Sequence, residues 1–136
     1  MISLPTPKIC LKYMFTASVI PGTVMALMGV GLIPIDEGLA DIANVFLLPL
    51  HLPLRPFLTT LGLCKILGCA SLWNKGPMPE VFGRYGLITA NACAIYGHYA
   101  VGNSIVAIVG TSIMLGLWIP YSFMDDDAKA FKSRKE

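Results

Sequence analysis

Apolar residues run through this chain in long stretches, and polar residues gather where the stretches end. Four stretches stand out, at residues 10–33, 56–73, 81–100 and 104–123. Each approaches or exceeds the ~20 residues a helix needs to cross the hydrocarbon of a bilayer. The first holds Pro21-Gly22 in its middle, which predicts a kink that a packed membrane helix tolerates. It follows Lys8 and Lys12 but is longer than the ~7–15 apolar residues of a signal-peptide core and ends in no small-residue cleavage pattern, so it reads as a retained span. Between the first two stretches the pattern changes. Glu37, Asp41 and Asn44 recur at helical spacing, and Leu39, Ile42, Ala43, Phe46 and Leu47 fill the other side. That predicts an amphipathic helix over 37–48, lying in the membrane interface. Pro49, Pro53 and Pro56 then break it, and residues 50–56 are expected to be extended, bending the chain back into the membrane. Turns are expected at 34–38, at 74–79 and at Gly102-Asn103. Asp125-Asp-Asp127 supplies an N-cap for a short helix in a charged tail. The predicted fold is an all-α integral membrane protein. Residues 1–124 form one four-transmembrane-helix bundle with a short interfacial amphipathic helix between helices 1 and 2, and residues 125–136 form a short charged, solvated tail.

Composition agrees with lipid as the solvent. Of 136 residues, 55% are hydrophobic and 13% charged, and the mean hydropathy is +0.68. A soluble domain carries roughly 25% charged residues. The net charge of +2 and the absence of a dense basic patch before the tail exclude nucleic acid as a partner. Charge also orients the bundle. With four spans, Lys8, Lys12, Lys75, Arg84, Lys129, Lys132, Arg134 and Lys135 fall on the side of the termini, and Arg55 alone on the other. The positive-inside rule then places both termini in the cytoplasm, or in the stroma or matrix. The membrane is a bacterial inner membrane or an organelle membrane, thylakoid or inner mitochondrial. Tyr13, Trp73, Tyr85, Trp118 and Tyr121 fall at the same end of the four stretches, as an aromatic interface belt would.

Lys65 is the most unusual residue. It lies about eight residues from the near end of its stretch, or ~12 Å into the membrane. A lysine at such depth costs at least ~2.5 kcal/mol and usually faces a bundle interior or a wet cavity. Gly62, Gly68 and Cys69 share its side of the helix and predict close approach of another helix. Asn91, Thr111, Ser112, Thr16, Ser18 and Thr23 lie near its depth, which suggests a buried polar layer. Against that stands simple snorkelling of the lysine to the interface. His98 ends a stripe of Gly86, Ala90 and Ala94, expected to pack closely. His51, Arg55, Glu37 and Asp41 belong to its side of the membrane and are candidates for an outer polar pocket. The candidate site is therefore Lys65, Asn91 and His98, with contacts to a quinone, a pigment such as chlorophyll, a lipid, or only a polar network. The bland reading of His98, a hydrogen-bonded structural histidine, carries more weight than ligation. No catalytic residue and no metal ligand set is assigned. Cys10, Cys64, Cys69 and Cys93 form no C-x-x-C pair and read as small buried hydrophobes. Hydrolase, phosphate-binding and dinucleotide motifs are absent, as is an internal repeat of the transporter kind.

Two segments, Leu61-Gly-Leu-Cys-Lys-Ile-Leu-Gly68 and Ala94-Ile-Tyr-Gly-His-Tyr-Ala-Val-Gly102, resemble the DoxX-like family of small four-helix membrane proteins. The first is similar to the family's glycine-bracketed second helix, the second to its A-I-x-x-H followed by glycine at the end of the third. Tyr99, Ala100 and Val101 stand where family members often carry charged residues. The resemblance spans roughly residues 58–118 and would carry over to Gly62, Lys65, Gly68, His98 and Gly102. It implies a four-helix bundle associated with redox or quinone-linked membrane systems. The resulting expectation is an accessory, non-catalytic subunit of a larger membrane complex for electron transfer or energy conversion, photosynthetic or respiratory, with lipid and other membrane subunits as partners. The alternatives are a DoxX-like quinone-linked oxidoreductase component and a lipid or small-molecule carrier.

Overall fold

The computed structural model describes residues 6–124, and these are helical with no strand among them. α1 (Pro7–Thr16) and α2 (Val19–Gly29) follow one another closely. α3 (Glu37–Leu47) runs into one 3-10 turn (Leu48–Leu50). Then come α4 (Leu54–Leu72), α5 (Glu80–Ala100), α6 (Ile105–Gly116) and α7 (Trp118–Phe123). The expected tail at 125–136 lies outside the described residues.

The count of spans differs from the expected four. Pro7–Gly29 and Ile105–Phe123 are long and apolar enough to cross a membrane. Glu37–Leu50 with Leu54–Leu72 is a third candidate, bent by 113° at its break. By length and composition the helices therefore supply two or three candidates. The shortfall has a chemical reason. α4 carries Arg55 and Lys65, and α5 carries Glu80, Arg84, Asn91 and His98, which dilute the apolar runs.

Both long apolar helices are broken one turn before a proline. Pro21 has no N–H to offer the Ala17 carbonyl, and its ring crowds that turn. The break accordingly falls at Ala17-Ser18, before Pro21-Gly22, with the Ala17 amide shared between the Tyr13 and Met14 carbonyls at 3.2 Å each. Pro120 does the same to Gly116, and α6 gives way to α7 at Leu117. Pro56, by contrast, sits in the first turn of α4, where no amide is needed. α4 therefore starts at Leu54, and the expected extended stretch is shorter than 50–56.

Four turns close by one device. Gly31, His51, Asn74 and Gly102 are left-handed, with φ of 84°, 53°, 53° and 69°. The amide after each bonds back five residues: Leu32 to Leu27, Leu52 to Leu47, Lys75 to Ala70, and Asn103 to His98, at 2.9 to 3.1 Å. This is the Schellman closure, which satisfies carbonyls that the helix end leaves open. At α3 the other end is capped too, by Asp36, whose carboxylate accepts from the Leu39 amide at 2.9 Å. α3 is thus the amphipathic helix expected at 37–48.

α4 is the central helix, antiparallel to α2 on one side and to α5 on the other. The α2 seam admits no side chain at Gly62. A Cβ there would lie 2.6 Å from the Ala26 nitrogen and against the Gly22 carbonyl. Gly29 likewise meets the backbone of Arg55 and Thr59. On the α5 side, a Cβ on Gly83 would lie 2.6 Å from the Ser71 Cβ and 2.8 Å from the Gly68 carbonyl. α3 lies across the far end of α5, with Ile42 pressed on Gly97 and the rings of Phe46 and Tyr96 5.8 Å apart.

Candidate functional site

The best-built part of the molecule is the end where the first and last described residues meet. Lys8 Nζ donates to the Met124 carbonyl at 2.9 Å. Beneath it Phe15 stacks on Trp118, with centroids 3.7 Å apart and planes within 6°. Tyr121 stands edge-on to both, at 5.5 and 5.3 Å. Leu72, Leu87 and Cys69 complete this core. The Cys69 thiol donates to the Phe15 carbonyl at 3.7 Å. The sequence places Trp118 and Tyr121 in an interface belt, but they are 2% and 1% exposed. The break at Pro120 re-aims α7 so that both rings turn inward. Tyr13, Trp73 and Tyr85 remain accessible at the rim, with Trp73 only half-buried. Cys10, Cys64 and Cys93 also differ from expectation, lying on exposed faces, while Cys69 alone of the four is buried.

Lys65 is half-buried beside the α2 seam. A Cβ on Gly22 would lie 2.9 Å from the Lys65 Cβ, so the α2 backbone runs directly against the root of the lysine. The expected close-approach role of Gly62 and Gly68 holds: Gly62 faces α2 and Gly68 faces Leu87 of α5. In the antiparallel register that sets Leu87 against Gly68, Asn91 falls one turn further on, within ~5 Å of the level of Lys65. Lys65 and Asn91 thus share a depth, and among the described residues neither makes a side-chain hydrogen bond. The hydroxyls expected to join them do not. Thr16, Thr23, Thr111 and Ser112 each donate to the carbonyl four residues back in their own helix, at 2.7 to 2.8 Å. Such back-bonding satisfies a hydroxyl locally where water is absent, and it leaves no hydrogen-bonded layer around Lys65.

His98 lies at the far end of α5. Its Nδ1 is 2.9 Å from the Asn103 amide nitrogen, and its carbonyl accepts the Asn103 backbone amide. That contact ties one ring nitrogen to the side chain of Asn103. The geometry is that of a histidine closing a helix end. The stripe leading to it is not the packing stripe: Gly86 has open space around it, and the buried line on α5 is Gly83, Leu87 and Gly97. His51, Arg55, Glu37 and Asp41 form no ion pair among the described residues. His51 closes a turn, and the Arg55 guanidinium lies over Gly31, 2.6 Å from where a Cβ would stand.

Sequence reasoning missed an open apolar groove of about 490 Å³ between α5 and α6–α7, whose walls include Ile88, Ile95, Ser112, Leu115, Trp118 and Ile119. Among groups of three or more His, Cys, Asp or Glu, the described residues contain none placed to hold a metal ion. No family model, curated protein or solved structure matches the chain.

Proposed function

We propose that this chain is a four-span accessory subunit of a larger membrane complex, of the electron-transfer or energy-converting kind. The observation that carries the subunit reading is α6. None of its residues is buried, and Ile105, Val106, Val109 and Ile113 stand exposed. An apolar helix so little used by its own fold requires cover from lipid or from another subunit. The four crossings would be α1–α2, α4, α5 and α6–α7. At 21 residues, α5 is ~32 Å long, enough for the hydrocarbon core. The link to electron transfer rests on the DoxX-like motifs around Lys65 and His98. The test is the size and absorption spectrum of the native particle in mild detergent. A particle many times the mass of one 14.7 kDa chain, containing haem or chlorophyll, is expected; a colourless particle of one or two chains refutes the proposal.

A second reading, a quinone-linked component, draws on one observation: Lys65 and Asn91 share a depth, and neither side chain makes a hydrogen bond among the described residues. Both could serve a quinone carbonyl. Lys65→Met should then abolish quinone-dependent turnover while the chain still inserts, and unchanged turnover discards this reading.

A further inference from the structure

We propose that the rim formed by α1, the α4–α5 turn and the start of α5 binds the headgroups of anionic phospholipids in the leaflet it faces. This rests on the chain being membrane-embedded. Charge divides sharply between the two ends. Lys8, Lys12, Lys75 and Arg84 lie at the rim with Glu80 as the acidic residue there, four positive against one negative, or +3. At the other end Asp36, Glu37 and Asp41 face Arg55, three negative against one positive, or −2. The tail at 125–136 holds four of each sign and leaves the asymmetry unchanged.

Three of the four rim cations are held beside an aromatic ring. Lys12 Nζ lies 5.5 Å from the centre of the Trp73 ring, Lys8 Nζ 5.2 Å from that of Tyr121, and the Arg84 guanidinium 5.7 Å from that of Tyr85. Trp73 is itself fixed: its indole N–H donates to Thr16 at 2.8 Å, and Tyr13 packs on it with centroids 5.0 Å apart. Tyr121 belongs to the core, but Tyr13, Trp73 and Tyr85 are accessible at the rim; amphipathic rings so placed settle at the headgroup level, and cations beside them reach the phosphates. The rim cations are not equivalent. Lys8 is engaged by the Met124 carbonyl, and Arg84 by Glu80 at 4.0 Å. Lys12 rests on a ring, and Lys75 is exposed two residues after Trp73. These two flank the fixed tryptophan and form the centre of the site.

The full-length chain in neutral detergent would be titrated with phosphatidylglycerol and, separately, with phosphatidylcholine. The readouts are the thermal midpoint and the lipid retained in native mass spectrometry. Phosphatidylglycerol is expected to raise the midpoint and stay bound, an effect weakened by salt, and phosphatidylcholine to do neither. Lys12→Gln with Lys75→Gln should bind phosphatidylglycerol about 30-fold more weakly, the value for two lost surface charges. Lys12→Arg with Lys75→Arg should retain it, and Arg55→Gln, at the other end, should bind as the unaltered chain does. Circular dichroism confirms that each variant is folded. Equal binding of the two lipids, an unaffected Gln variant, or displacement of the lipid by inorganic phosphate would overturn the proposal. Release of the chain from native membranes by alkaline carbonate would overturn the membrane reading as well. A chain that stays embedded yet shows no headgroup preference overturns the rim alone.

Discussion

Replacing Gly62 by alanine adds one methyl group at the tightest point of the central helix. That Cβ would stand 2.6 Å from the Ala26 nitrogen, 3.0 Å from the Ala26 Cα and against the Gly22 carbonyl oxygen. All three are backbone atoms, so no side chain can rotate away. Relaxed contacts begin near ~3.5 Å, so α2 must withdraw by roughly 1 Å, and a gap of that size forfeits a quarter to a half of each dispersion contact along the seam. Overpacking of this kind costs up to about 3 kcal/mol. Alanine returns about 1 kcal/mol through its better helix propensity, leaving a net loss of about 2 kcal/mol. Gly86 is the control. It has open space around it, so Gly86→Ala keeps the gain of about 1 kcal/mol and pays no clash. At about 4 °C per kcal/mol, the first variant should melt ~8 °C below the unaltered chain and the second ~4 °C above it. The assay is thermal unfolding in detergent followed by far-UV circular dichroism, which reports secondary structure. If both variants move in the same direction, the α2–α4 approach described above is wrong.

The buried Trp118 indole N–H has no acceptor among the described residues, so Trp118→Phe should retain the stack on Phe15 and change stability by less than ~1 kcal/mol, whereas Trp118→Ala should lose ~3–5 kcal/mol; equal losses by denaturant unfolding would contradict this. His51 is a non-glycine residue in left-handed backbone, and His51→Gly should stabilise the chain by about 1 kcal/mol; a loss of stability would mean the imidazole makes a contact worth more than the strain. Asn103→Ala removes the partner of His98 Nδ1 and should cost ~0.5–1.5 kcal/mol, with the His98 ring signals broadening in NMR; unchanged signals would show that the hydrogen bond does not orient the ring. Pro21→Ala supplies the missing amide to Ala17, and the distance between spin labels at Cys10 and at a cysteine replacing the exposed Val30 should lengthen as α1 and α2 straighten; an unchanged distance would place the cause of the break elsewhere.

Hydrophobic periodicity located every long helix to within a few residues, since α-helices in an apolar chain must satisfy their own backbone wherever they lie. It also located α3, because Glu37, Asp41 and Asn44 mark a wet face. Local rules applied to the sequence also explain the breaks at Ala17 and Gly116, which depend only on a proline four residues later. The expectation that Gly62 and Gly68 face other helices came from residue size alone. The candidate site was less legible. The shared depth of Lys65 and Asn91 followed from counting residues along each stretch, and the α4–α5 register set by Gly68 and Gly83 agrees with it; what their side chains bond to is not written in either helix. The hydroxyls looked like partners for Lys65, but carbonyls one turn back are nearer than any side chain on another helix.

What the sequence determined by itself was the helical class, the punctuation between helices and the imbalance of charge between the two ends, because these follow from each residue and its near neighbours. Tertiary structure alone decided which faces meet. Trp118 and Tyr121 read as interface anchors from their position near a helix end, yet the turn from α6 into α7 sends them into a core with Phe15, more than a hundred residues away in the chain. Gly86 and Gly83 are equally small, yet only Gly83 meets α4. A residue's neighbours along one helix fix its angle on that helix, but the helix that comes to cover that angle is set by packing summed over the whole fold.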